Sequence, residues 1–93
     1  MYTVKTISKY CIAGSYYEEG KEEVYSNLFD ALYDFINLHS NYFCKSGRLI
    51  NSETGQTLAS FSPDTDKIWA TKDIRKYIRK NYFRMIKRII KES

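Results

Sequence analysis

The chain has 93 residues, 43% of them hydrophobic, with 15 Lys/Arg against 11 Asp/Glu and a formal charge of +4. That length and apolar content suit a single domain, residues 1–93, with one modest core. No apolar run approaches the roughly 18 residues that a membrane span needs, and MYTVKTISKY lacks the apolar region of a secretory signal, so a soluble, cytoplasmic protein that does not engage membranes is expected.

Residues 2–13, YTVKTISKYCIA, are rich in β-branched and aromatic types and read as a strand. Tyr2, Val4 and Thr6 share one face while Ile7 falls on the other, which a bulge near Thr6 would reconcile. The chain either turns at Gly14-Ser15 or runs on through Tyr16-Tyr17 to a charged tip, Glu18-Glu19-Gly20-Lys21. The second is favoured, because Glu-Gly flanked by charge makes an acceptable hairpin tip. Glu22–Tyr25 then returns as a short strand; a competing reading starts the next helix at Lys21, since Val24 also fits the helical stripe.

The stretch Ser26–His39, SNLFDALYDFINLH, places Leu28, Ala31, Leu32, Phe35, Ile36 and Leu38 at helical spacing and Asn27, Asp30, Asp34 and Asn37 opposite. Ser26 is the expected N-cap, and the helix is expected to cover a sheet with its acidic side outward. Asn41–Ser46 reads as a loop. In GRLINSETGQTLASF, Arg48–Ile50 and Thr57–Phe61 read as a hairpin closed by Asn51–Gly55, with Gly55 at the positive φ of a bulged turn. Ser62 is expected to cap a brief helical turn at Pro63. Lys67–Ala70 then crosses back, with Trp69, the one tryptophan, pinning the last helix to the core.

The C-terminal segment TKDIRKYIRKNYFRMIKRIIKES reads as one basic amphipathic helix over about 72–91, capped by Thr71. Ile74, Ile78, Tyr82, Met85 and Ile89 form its apolar stripe, with Phe83 and Ile90 near one edge. Residues 1–71 hold six Lys/Arg against nine Asp/Glu, whereas 72–93 hold nine against two, so the molecule is electrically bipolar. The candidate binding residues are Arg75, Lys76, Arg79, Lys80, Arg84, Lys87, Arg88 and Lys91. They offer a solvated face that meets the acidic side of the first helix, a surface for nucleic-acid phosphates, or a surface for an acidic protein partner. A second copy of the chain is a further candidate partner.

Catalytic chemistry has little to work with. Cys11 and Cys44 stand apart without C-x-x-C spacing, and their redox state is open. The single His39 has no companion nucleophile, and one histidine with two scattered cysteines cannot complete a structural zinc site. The expectation is a non-enzyme without cofactor or metal. Nine tyrosines favour interface contact.

The fold expected is α+β in the order ββαββα: a four-stranded antiparallel sheet, one covering helix and the basic C-terminal helix. In its size, its lysine–tyrosine–asparagine flavour and its lack of catalytic residues, the chain looks like the small accessory proteins of phages and mobile elements. That resemblance implies a stoichiometric protein-binding inhibitor, for instance of a host defence nuclease in the manner of an anti-CRISPR protein. The alternative is a nucleic-acid-binding protein that uses the basic helix on phosphates.

Overall fold

The β-branched and aromatic opening of the chain forms two eleven-residue strands, β1 (Tyr2–Ile12) and β2 (Ser15–Tyr25), paired antiparallel from Tyr2 opposite Tyr25 to Ile12 opposite Ser15. This is a computed structural model that describes residues 1–40, 44–63 and 65–92, without the side chains of Thr65 and Asp66. The strands turn at Ala13-Gly14, where φ is +51° and +82°. Two successive positive-φ residues make a type I′ turn, whose twist suits a two-residue hairpin. The expected tip at Glu18–Lys21 is therefore corrected: Gly20 lies in mid-strand opposite Ile7. The helical alternative beginning at Lys21 falls with it.

Alanine pays roughly 1–2 kcal/mol in the left-handed region, and asparagine tolerates it far better. Ala13→Asn is therefore expected to raise the melting temperature by about 4–8 °C, the shift that about 1 kcal/mol produces in a domain of this size. Thermal melting followed by circular dichroism checks it, and an unchanged or lower melting temperature contradicts the turn assignment.

The first helix, α1 (Leu28–His39), starts one residue later than expected, because Asn27 rather than Ser26 is the cap: its side-chain oxygen accepts from the Asp30 amide at 2.9 Å. The Tyr25 hydroxyl donates to the Glu23 carboxylate at 2.8 Å and to Asp34, which fastens the end of β2 to the side of α1. The bond from Tyr25 holds the Glu23 carboxyl below its usual range, while desolvation, with the bonds to Asp34 and Glu23, pushes the Tyr25 phenol well above its own.

Next come β3 (Cys44–Asn51), β4 (Thr57–Ser62) and β5 (Thr65–Ala70). Among the described residues the sheet has five strands in the order β2-β1-β3-β4-β5, every neighbouring pair antiparallel. The fold is α+β as expected, but the count of four strands is corrected to five. The missed strand contains Lys67–Ala70, expected only as a crossing segment, and it pairs Trp69 with Ser60 and Ala70 with Ala59. Ser62 belongs to β4 and caps no helical turn, while Asp64 lies outside the described residues. Of the expected loop Asn41–Ser46, residues 41–43 lie outside the described residues and Cys44–Ser46 are strand. The register slips between Ile7 and Ser8 against β3, one residue beyond the expected bulge. The Asn51–Gly55 turn forms as read: Gly55 takes φ +75°, and its amide donates to the Asn51 carbonyl at 2.8 Å.

One face of this sheet is covered by α1. Leu32 and Phe35 from the helix meet Val4, Leu49, Ala59 and Phe61, all buried. Phe35 and Phe61 tilt against each other with ring centroids 5.3 Å apart, and His39 stands edge-on to Phe61 at 4.9 Å. Phe61 reaches this position by lying over Gly47, its cross-strand partner. A Cβ there would come within 2.6 Å of the ring, so only glycine admits it. Among the described residues no buried side-chain nitrogen or oxygen lacks a hydrogen bond.

The basic segment is two helices rather than one, α2 (Lys72–Lys80) and α3 (Tyr82–Glu92). Thr71 caps α2 as expected, its hydroxyl accepting from the Ile74 amide. Asn81, at φ −109° and ψ 12°, divides the pair, and its side-chain amide donates to the Tyr77 carbonyl at 3.0 Å. The expected stripe is broken accordingly. Ile74 and Met85 are buried, but Tyr82 and Ile89 are exposed.

Candidate functional site

The α2–α3 segment folds back on the molecule through few side chains, and those few fix which basic residues stay available. Met85 supplies the buried apolar contact from α3. Beside it Arg88 donates to Asp30 of α1 at 2.7 Å and to Glu92 at 3.2 Å, and its guanidinium lies 4.2 Å from the centroid of Tyr33. The Tyr33 hydroxyl donates to Glu92 at 2.9 Å. One helical turn earlier, Arg84 sits 4.4 Å over the Phe29 ring and donates to Asn81. An acidic, aromatic side of α1 thus captures two arginines of α3 by charge and cation–π attraction.

This separates the eight candidate residues into two groups. Arg84 and Arg88 are engaged by α1 and by neighbouring side chains of their own segment. Arg75, Lys76, Arg79, Lys80, Lys87 and Lys91 are exposed. Together with Lys72 they carry the charge that remains for a partner.

The docking of α3 depends on pH. Hydrogen bonds from Asn27 and Arg88 hold the Asp30 carboxyl below its usual range, and those from Tyr33 and Arg88 do the same for Glu92. A carboxyl whose folded value is depressed stabilises above its unfolded value, near pH 4, and that contribution is lost as pH falls through the folded value. Acidification below about pH 4 is therefore expected to loosen α3 before the sheet. The Met85 methyl resonance should move toward its unfolded position while the Leu49 and Ala59 methyls hold. Simultaneous loss of all three contradicts this.

Sequence reasoning underrated the apolar residues of α3. Phe83 is 77% exposed and Ile90 68%, one above the other on the outward side, with Tyr82 and Ile89 exposed along the inner edge. Tyr82 meets Phe83 edge-on at 5.9 Å. The signal was present, since Phe83 and Ile90 sit off the main stripe; what it lacked was the kink at Asn81 that turns the inner edge outward. The expectation for Trp69 is corrected: it is 55% exposed on the sheet face opposite α1 rather than packed into the core.

Elsewhere among the described residues, Tyr25, Glu23 and Asp34 converge at the end of β2. Glu18 and Glu22 pair across the strands with Lys9 and Lys5 at 3.9 and 4.0 Å, along the exposed edge strand β2 rather than at a hairpin tip. Cys11 is exposed and Cys44 buried, both as thiols, and burial pushes the Cys44 thiol up. Among the described residues no three His, Cys, Asp or Glu gather to hold a metal ion. No helix among them is long and apolar enough to cross a membrane.

The fold and this face define an α+β domain with a basic helical flank. No family model matches the chain, and no curated protein or solved structure matches it either.

Proposed function

We propose that the chain is a small, non-catalytic protein-binding module whose contact surface is the outer face of α2–α3. The observation that carries this reading is Phe83, a large aromatic 77% exposed among basic side chains. Tracking the phosphates of a duplex needs cations and leaves Phe83 and Ile90 without a role, whereas aromatic anchors ringed by charge are the usual anatomy of a protein interface. The partner that fits offers an apolar pocket with an acidic rim. A second copy docked on the same face is a poor match, because Arg79, Lys80 and Lys87 would meet their own kind.

Such a module acts by occupancy, as a stoichiometric inhibitor or accessory protein does, and a host defence nuclease is one kind of target. The second reading, a nucleic-acid binder, is favoured by the free cations Lys72, Arg75, Lys76, Arg79, Lys80, Lys87 and Lys91. Affinity capture on the immobilised chain, from extracts with and without nuclease treatment, separates the two. A protein retained after nuclease digestion and lost with Phe83→Ala supports the module. Retention that disappears on digestion supports the nucleic-acid reading.

A further inference from the structure

Antiparallel sheets commonly leave one face to water, and on the face of this sheet opposite α1 Lys5, Ile7, Arg48 and Trp69 are exposed, while Thr3 is buried beside Ser52. This face is shaped rather than flat: a concavity of about 660 Å³ is bounded by Lys5, Ile7, Glu22, Ser46, Arg48 and Ser60. The register sets a row of side chains across it. Glu22 faces Lys5, Lys5 faces Arg48, Arg48 faces Ser60, and Ser60 faces Trp69.

Two features of this row are costly unless something binds there. Lys5 and Arg48 are like charges directly opposite each other, which destabilises a strand pair. Glu22 relieves only the outer side of Lys5, and only at 4.0 Å. Arg48 is held at the other end by a 2.6 Å hydrogen bond from its guanidinium to the Thr57 hydroxyl, which orients it and adds no negative charge. The second feature is Trp69, more than half exposed with no ring partner among the described residues.

We propose that this open face binds a single-stranded nucleic acid, with a phosphate between Lys5 and Arg48 and a base against Trp69. Arg48 and Trp69 stand two strands apart, about 10 Å, which one nucleotide spans from its phosphate to the far edge of its base. The hydroxyls of Ser46 and Ser60 line the path, and Ile7, itself exposed, gives the sugar an apolar contact. A duplex has its bases stacked away from such a surface, so the face selects single strands. Cations that track the backbone beside an aromatic platform are how sequence-tolerant single-strand binders work. This site is separate from the α2–α3 face, and either can fail without the other.

Trp69 is the only tryptophan, so its emission reports on this face alone. The wild type is titrated with oligothymidylate and oligouridylate of about ten nucleotides at about 50 and 200 mM salt. The expected result is quenching that weakens steeply at the higher salt, with affinity falling about tenfold or more in Lys5→Ala/Arg48→Ala. With a fluorescein-labelled strand, Trp69→Ala should lose affinity and Trp69→Phe should keep most of it, because stacking survives on a smaller ring. Three results overturn the proposal: no quenching at low salt, equal quenching by polyglutamate, or a loss that follows Lys76→Ala/Lys80→Ala and spares Lys5→Ala/Arg48→Ala.

Discussion

Replacing Phe83 by alanine is expected to cost about 2 kcal/mol or more of affinity for the protein partner, roughly a thirtyfold loss. Phe83 is the largest apolar side chain that the α2–α3 face presents, and its ring meets Tyr82 edge-on. Filling a partner's pocket with it removes apolar surface from water, at about 25 cal/mol per Å². The cations around it steer the encounter and set the salt dependence but carry less of the affinity. Because the side chain is exposed before binding, its removal should leave stability within about 0.5 kcal/mol of the parent. Titration calorimetry of the captured partner, with a thermal melt of each variant, gives both numbers. A variant that binds as tightly as the parent removes Phe83 from the interface.

The largest stability effect is expected at Phe35. This ring is fully buried between the sheet and the rest of α1, and it supports Phe61, which in turn lies over Gly47. Phe35→Ala removes most of a buried aromatic and leaves a cavity that neighbours such as Leu32 and Leu49 cannot close, a loss of about 3–5 kcal/mol. A domain of this length has a net stability of only about 5–14 kcal/mol, so the variant should sit close to unfolding. Urea denaturation should show a much lower midpoint with an unchanged slope. A loss under about 1 kcal/mol would mean that Phe35 is not the hub of the core.

How much of this was legible in the sequence depended on whether the signal was periodic or conformational. The helix Leu28–His39 declares itself because Ala31, Leu32 and Phe35 recur at helical spacing and all three are buried. The Arg48–Phe61 hairpin is legible because Gly55 marks its bulged turn. The first hairpin misled because its turn rests on an alanine at positive φ, which no propensity favours, while the Glu-Gly pair that imitates a turn lies in mid-strand. The fifth strand carries Asp66 and Lys67, types that strands disfavour, and it pairs along the edge that β4 offers.

The basic residues of the candidate site were all legible as charge. Their division was not, because it depends on Asp30, Tyr33 and Phe29, which lie more than fifty residues away in sequence and claim Arg84 and Arg88. Asparagine is unremarkable inside a helix, so the kink at Asn81 gave no warning that Tyr82 and Ile89 would be exposed.

The most direct test is lysine footprinting of the nuclease-treated complex, by acetylation and mass spectrometry. If α2–α3 is the contact face for a protein, Lys76, Lys80, Lys87 and Lys91 should be protected while Lys5, Lys9 and Lys21 react as in the free chain. Protection of Lys5, Lys9 and Lys21 with the α2–α3 lysines left reactive would contradict it, as would protection that nuclease treatment abolishes.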